Sequence, residues 1–344
     1  MTTVQPHDSR LTFSARMGSQ VGVKDLAAKA KHAEDAGFDQ FWTGNDLFGT
    51  PGIISLAAIA MSTERIKFGS GVIDPVSMHP AQIAQIASGL QDLSNGRFLL
   101  GIGAGSEVFY SWGGITAKSP VVRTREGVLA IRELVEGRSP AGVEGVAPGW
   151  LPQGKLRFSR PTPIYIGAMG PKMLALTGRI ADGALPLCLP PRHVFGVVEQ
   201  IKAGAEKAGR SMDDIDVAAC LWVSIAEDRD EARWLLAKHI AEYSGSLSTD
   251  ALAANGMDVE EFATTQQLVL DDREDDAIRF VLASSTMMDL GIVGGPTDVI
   301  DQCGALIDAG VKHVSFGPPM GPDAMSSLSI LGAKVFPALR TMFA

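Results

Sequence analysis

Four short stretches carry the side chains and glycines best suited to chemistry: WTGND, GSGVIDPVSMHP, GIGAGSE and GAMGPKM. GAMGPKM is the better candidate for holding a phosphate. Gly167 closes an apolar run, Ala168, Met169 and Gly170 form a turn, and Pro171 suits the first turn of a helix whose free N–H groups attract an anion, with Lys172 adding charge. A plain turn that uses glycine for its backbone angles fits these residues equally well. FLLGIGAGSE alternates Gly101, Gly103 and Gly105, whereas a dinucleotide fingerprint needs G-x-G-x-x-G between a strand and a helix. The SEVFYSWGG that follows does not read as a helix start.

Three residues are candidates for moving a proton. Asn45 and Asp46 could both reach the barrel mouth, Asn45 as a contact to a cofactor and Asp46 as an acid, or they could merely form an Asx turn. Glu107, just past the glycines, reads as a solvated loop carboxylate or a general acid. His79 precedes Pro80 at a helix start, and a lone histidine there is more often a structural hydrogen-bonder than an acid. Cys188, Cys220 and Cys303 lie far apart, with no C-x-x-C and no clustered histidines, so neither a metal site nor a disulfide framework is suggested. Lys172 is the only lysine close to a strand end in a ligand-like context, which leaves Schiff-base chemistry poorly supported. Glycines, backbone groups and apolar residues remain, and they suit a flat cofactor that brings its own chemistry.

The elements that must position these stretches alternate along the chain. Strand-like runs occur near residues 11–15, 39–42, 66–70, 97–102, 163–166, 183–187, 215–224 and 312–317. Between them, Leu26, Ala30 and Ala33 recur at helical spacing, as do Ile83, Ile86, Ala87, Leu90 and Leu93, and then Val299, Cys303 and Leu306. Pro296 suits a first helical turn, with Asp298 complementing its positive end. Eight strand–helix units imply an α/β fold with a parallel sheet, the (β/α)8 TIM barrel first and an open doubly wound sheet second. In the barrel, chemistry lies on the loops at the C-terminal ends of the strands, where all four stretches fall.

A bare barrel takes about 250 residues, so this chain of 344 has a surplus. Most of it is placed at residues 240–290, as an inserted helical segment before the last β/α unit, and a smaller Gly- and Pro-rich excess at 138–162. The reading is a single domain over residues 9–344, with residues 1–8 a flexible tail. A net charge of −9 argues against a nucleic-acid or anionic-membrane surface. No stretch reaches the roughly 20 apolar residues of a membrane span, and the cysteine usage suits a reducing cytoplasm.

Taken together, FDQFWTGND, GSGVIDPVSMHPAQIAQ, SNGRFLLGIGAGS, VVRTREGVLAIREL, IYIGAMGPKMLALTGRIADGALP, GGPTDVIDQCGALIDAGVKHV and FGPPMGP resemble the bacterial luciferase-like superfamily. The resemblance is greatest to its deazaflavin branch, that of methylenetetrahydromethanopterin reductase and related F420-dependent oxidoreductases, and covers most of residues 11–340. It implies coenzyme F420 as cofactor, FMN being the alternative, and hydride transfer between the deazaflavin C5 and a small organic substrate at the barrel mouth.

By the same resemblance, Gly103, Gly105 and Ser106 line the ring, Gly167, Ala168, Met169 and Gly170 form the phosphate turn, and a non-prolyl cis peptide at Gly71–Val72, or one residue away, supports the ring from behind. Relatives often place Asp-His after the second strand where this chain has Asn45-Asp46. The resemblance therefore puts Asp46, then Glu107, then His79 forward as proton donors. It also leaves an FMN-dependent monooxygenase and a non-catalytic cofactor-binding barrel as alternatives, and it implies a homodimer.

Overall fold

The computed structural model describes residues 11–247 and 249–344, so the expected tail at residues 1–8 lies outside the described residues. The strands are β1 (Thr12–Met17), β2 (Gln40–Thr43), β3 (Lys67–Ser70), β4 (Phe98–Ile102), β5 (Ile164–Ile166), β6 (Gly183–Ala184), β7 (Asp216–Ile225), β8 (Gly291–Gly294) and β9 (His313–Met320). Their order in the sheet is β6-β5-β4-β3-β2-β1-β9-β7-β8, and β6 pairs in addition with β7. With β8 set aside as an added strand, this is the (β/α)8 barrel, as the alternation of elements predicts.

Residues of β2 (QFWT) and β4 (FLLGI) are buried on both faces, which is why β4 reads as a near-continuous apolar run rather than as alternation and why even Gln40 and Thr43 of β2 are buried. Parallel registers carry the site-bearing strands in order: Trp42 opposite Gly69, Gly69 opposite Leu99, and Gly101 opposite Tyr165. Gly69 is required by its neighbour, since a Cβ there would lie 2.3 Å from Trp42 Cζ3.

The chain forms two compact units. The first runs up to Leu187 and includes Gly196–Ala218; the second is Cys188–Phe195 with Ala219–Ala344. The first holds β1 to β6 and a buried polar group inside them. There Tyr165 Oη donates to Asp216 Oδ2 at 2.9 Å, Gln40 Nε2 donates to the same oxygen at 3.2 Å, and Trp42 Nε1 donates to Gln40 Oε1 at 3.1 Å. Burial first, then the charge of Asp216, pushes the Tyr165 phenol well above its ordinary range, so it stays a donor. The second unit holds the inserted segment, whose helices Thr249–Ala254, Val259–Leu270, Glu274–Ala283 and Ser285–Met288 bear out the helical reading of 240–290.

The structure departs from the sequence reading in several places. β8 was not expected: four residues beside a glycine pair are too short to show a period. β6 is two residues long rather than five. Leu93 falls outside the core stripe of its helix, 43% exposed in the last turn, while Ile83, Ala87 and Leu90 are buried as expected. SEVFYSWGG does start a helix, Glu107–Trp112, with Ser106 at its N-cap accepting from Phe109 N. An acidic first turn after a serine is a normal N-terminal pattern, and the glycines before it obscured it. Residues 138–162 hold turns but no helix or strand.

Candidate active site

Every sequence-predicted site residue lies in the first compact unit. The ends of β2 to β5 are laced together by backbone bonds: Gly71 N donates to Thr43 O at 2.8 Å, Ile73 N to Gly101 O at 2.9 Å, Gly103 N to Ile73 O at 3.0 Å and Gly167 N to Ile102 O at 2.8 Å. The Gly71–Val72 peptide is cis, at the bond the resemblance implies.

Val72 is the point where these strand ends meet. A Cβ at Gly103 would lie 2.4 Å from Val72 Cγ2, and one at Gly167 would lie 3.0 Å from Val72 Cγ1. Gly103 and Gly167 thus both face one half-buried side chain, that of Val72, which follows Gly71 in the chain. The reason for glycine at 103 is therefore partly the protein's own packing, a contact the sequence does not reveal. Gly105 has a φ of +75°, and a Cβ there would fall 1.9 Å from Tyr110 Oη, so both conformation and space demand glycine.

Tyr110 and Asp74 are functional-looking residues the sequence reading missed. Tyr110 Oη donates to Ala104 O at 2.9 Å, which ties the short helix back to the glycine stretch. Burial, and then the Asp74 carboxylate beside it, push the Tyr110 phenol far above its usual value. Asp74 is itself buried and accepts from Val76 N at 2.9 Å, Ser77 N at 2.6 Å and Ser77 Oγ at 2.6 Å, an Asx turn that the D-P-V-S sequence could have signalled. Glu107 is exposed and lines an open hollow of about 460 Å³ with Tyr110, Ser111, Gly114, Ile115 and Thr116.

The turn after β5 has the features an anion needs. Helix Pro171–Ile180 begins at Gly170, whose lack of a side chain leaves the N-cap without a side-chain bond, while Met173 N and Leu174 N donate to Gly170 O, each at 3.0 Å. A Cβ added at Gly170 would meet nothing within 4 Å. Ala168 is buried, whereas Met169, Gly170 and Lys172 are exposed at the turn.

His79 is occupied structurally. It is the N-cap of helix Pro80–Leu93, its Nδ1 accepts from Ala81 N at 3.2 Å, and its ring packs 5.4 Å from that of Trp150. Asn45 is held against the next helix, where a Cβ at Gly52 would lie 2.7 Å from Asn45 Cβ. Asp46 is exposed, and its Oδ2 accepts from Ser19 Oγ at 2.6 Å. Ser19 lies on the loop after β1, which carried no signal in the sequence. No group of His, Cys, Asp and Glu that could hold a metal ion occurs among the described residues, and none of their helices is long and apolar enough to cross a membrane.

Barrel and site together define a protein of the luciferase-like class. The luciferase-like monooxygenase family profile matches residues 10–313, and the chain belongs to that family, in its F420-dependent branch. Among its relatives, the 5,10-methylenetetrahydromethanopterin reductase of Archaeoglobus fulgidus is 34% identical over 326 residues, 92% of this chain and 96% of the relative. The F420-dependent glucose-6-phosphate dehydrogenase of Nakamurella multipartita is 28% identical over 341 residues, 94% of each. Among solved structures, the coenzyme F420-dependent tetrahydromethanopterin reductase of Methanopyrus kandleri superposes with a TM-score of 0.88 at 27% identity, covering 96% of this chain and 99% of that one.

Proposed function

We propose that the chain is an F420-dependent oxidoreductase in which a hydride passes between the deazaflavin C5 and an organic substrate held at the C-terminal ends of the strands. One observation carries the reading: Gly103 and Gly167 close around Val72, the residue after Gly71, in the same unit as the helix start at Gly170. That arrangement offers a small-residue surface for a flat ring and a glycine-led helix start whose positive end suits a phosphate. The F420-dependent reductase and dehydrogenase relatives support the choice of cofactor.

The residues present fit such a group. Gly167 to Gly170 would hold the phosphate by backbone donors, and the exposed Lys172 would add charge. Gly71, Val72, Gly103, Gly105 and Ser106 would support the ring, and the buried Tyr110 would hold the Gly103–Ser106 stretch in place through Ala104 O. When bound, F420 supplies the hydride chemistry; the protein supplies position. Asp46 is the residue we assign to exchange the proton that accompanies a hydride, with Glu107 second. His79 stands last because its Nδ1 is committed to the helix cap. A small-molecule substrate and an isologous homodimer complete the reading, the latter to be checked by sedimentation.

The decisive experiment is a fluorescence titration of the purified chain with oxidised F420 and, separately, with FMN. Saturable quenching by F420 alone is the expected result. Preference for FMN would convert the reading to a luciferase-like monooxygenase, and binding of neither would overturn the site. Turnover is then sought with reduced F420 and two acceptors, methylenetetrahydromethanopterin and acetone. Cofactor binding without turnover of these or further acceptors would favour a non-catalytic barrel.

A further inference from the structure

Ser19 touches the loop after β2 at two points. Its hydroxyl donates to Asp46 Oδ2 at 2.6 Å, and its carbonyl accepts from Thr50 N at 2.7 Å. Ser19 is buried, 5% exposed, although it lies on a loop, whereas Asp46 is exposed. Two glycines make room for the pair. A Cβ at Gly49 would lie 2.9 Å from both Ser19 Cβ and Ser19 Oγ, and one at Gly44 would lie 3.1 Å from Asp46 Oδ2 and 3.4 Å from Ser19 Cβ. A residue larger than glycine at 49 would press directly on the serine. Asp46 Oδ1 has no partner among the described residues.

We propose that Ser19 is the positioning residue of Asp46, fixing one carboxyl oxygen so that the other faces the reacting substrate. The inference rests on the reading of Asp46 as the proton-exchanging group, and it extends that reading to a residue on a different strand end. A carboxyl group free to rotate about its side-chain bonds spends little time in the orientation needed for proton transfer. A hydroxyl at one oxygen, carried by a residue whose main-chain carbonyl is held by Thr50 N, removes that freedom.

For a ketone acceptor the step balances as follows. With reduced F420 bound, the carbonyl carbon would take a hydride from it, leaving it oxidised, and the carbonyl oxygen would take the proton from Asp46 Oδ1. The alcohol departs, and the exposed Asp46 carboxylate regains a proton from water. In methylenetetrahydromethanopterin the carbon bridges two nitrogens; one C–N bond breaks as water protonates the departing nitrogen, and the iminium so formed then needs only the hydride. The pair therefore matters to one acceptor class more than to the other.

The test uses the full-length F420-loaded chain as wild type, S19A, S19T and D46N, with reduced F420 and either acetone or methylenetetrahydromethanopterin. S19A is expected to lower the acetone-to-methylene ratio of kcat about tenfold, with the F420 Kd unmoved, and S19T, which keeps the hydroxyl, to restore it. A purely structural serine would instead lower both rates together or weaken F420 binding. If D46N slows acetone reduction and S19A leaves the ratio unchanged, the positioning role falls alone; if D46N also leaves it unchanged, the reading of Asp46 falls. Hydrogen–deuterium exchange of residues 44–50 is measured on the same variants and does not depend on turnover. Faster exchange at Thr50 in S19A is expected, and unchanged exchange would overturn the anchor whichever acceptor is used.

Discussion

Val72 and Gly103 share too little space for a side chain at both positions. Gly103→Ala puts a methyl group 2.4 Å from Val72 Cγ2 and is expected to weaken F420 binding at least tenfold by displacing Val72. Adding Val72→Ala to that chain removes the clashing methyl and is expected to recover most of the affinity, measured by the same fluorescence titration. At this scale the sequence was a partial guide. Gly103 and Gly105 stood out because glycine alternation is visible in a string of letters, but Val72 and Tyr110, the side chains that force glycine there, are 31 and 5 residues away and show no spacing rule. Asp46 was visible by its place after β2. Its partner Ser19 was not, because a contact between loops of two neighbouring strands has no local signature.

Whole elements hold the turn after β5 in place. Helix Pro171–Ile180 packs closely against helix Val194–Lys207: a Cβ at Gly178 would lie 2.0 Å from Ile201 O, and one at Gly204 would lie 2.2 Å from Ala175 O. Gly178→Ala is therefore expected to cost about 1–3 kcal/mol of stability, as overpacking does, and to weaken F420 binding by shifting the helix start. Unfolding in urea and the titration read the two effects separately. Elements with strong local patterns were legible: eight strands, the helical insert, and the Pro296 helix, whose Asp298 Oδ2 accepts from Gly295 N at 2.8 Å. Elements set by tertiary pairing were not. β8 exists because Trp222 to Ile225 of β7 offer it partners, and Leu93 lies on the outer side of a last turn whose Leu90 and Gln91 are buried.

At the scale of the molecule, acid stability has an identifiable centre. Glu34, with its side chain 1% exposed, accepts with Oε2 from Glu64 N at 2.9 Å, Arg65 N at 2.5 Å and Ile66 N at 2.9 Å, ordering the approach to β3. Burial alone would raise its carboxyl, but the three N–H donors and Lys31 together hold it at about 2 against an ordinary 4.5. The folded state thus binds this proton less readily than the unfolded one. The stabilisation is fully present above about pH 5 and is lost as pH falls toward 2, amounting to about 3 kcal/mol. Unfolding free energies measured from pH 7 down to 2 are expected to show this loss in the wild type and a shallower one in Glu34→Gln.

The division of the chain into two compact units has an evolutionary consequence. All residues assigned to the cofactor precede Leu187, while the helices between residues 249 and 288 belong to the other unit. A lineage can lengthen, shorten or replace those helices without rewriting a single cofactor-binding codon. Descendants of such a gene inherit the residues assigned to the cofactor unchanged while those helices diverge, and a chimera carrying a relative's helices is the laboratory form of that history.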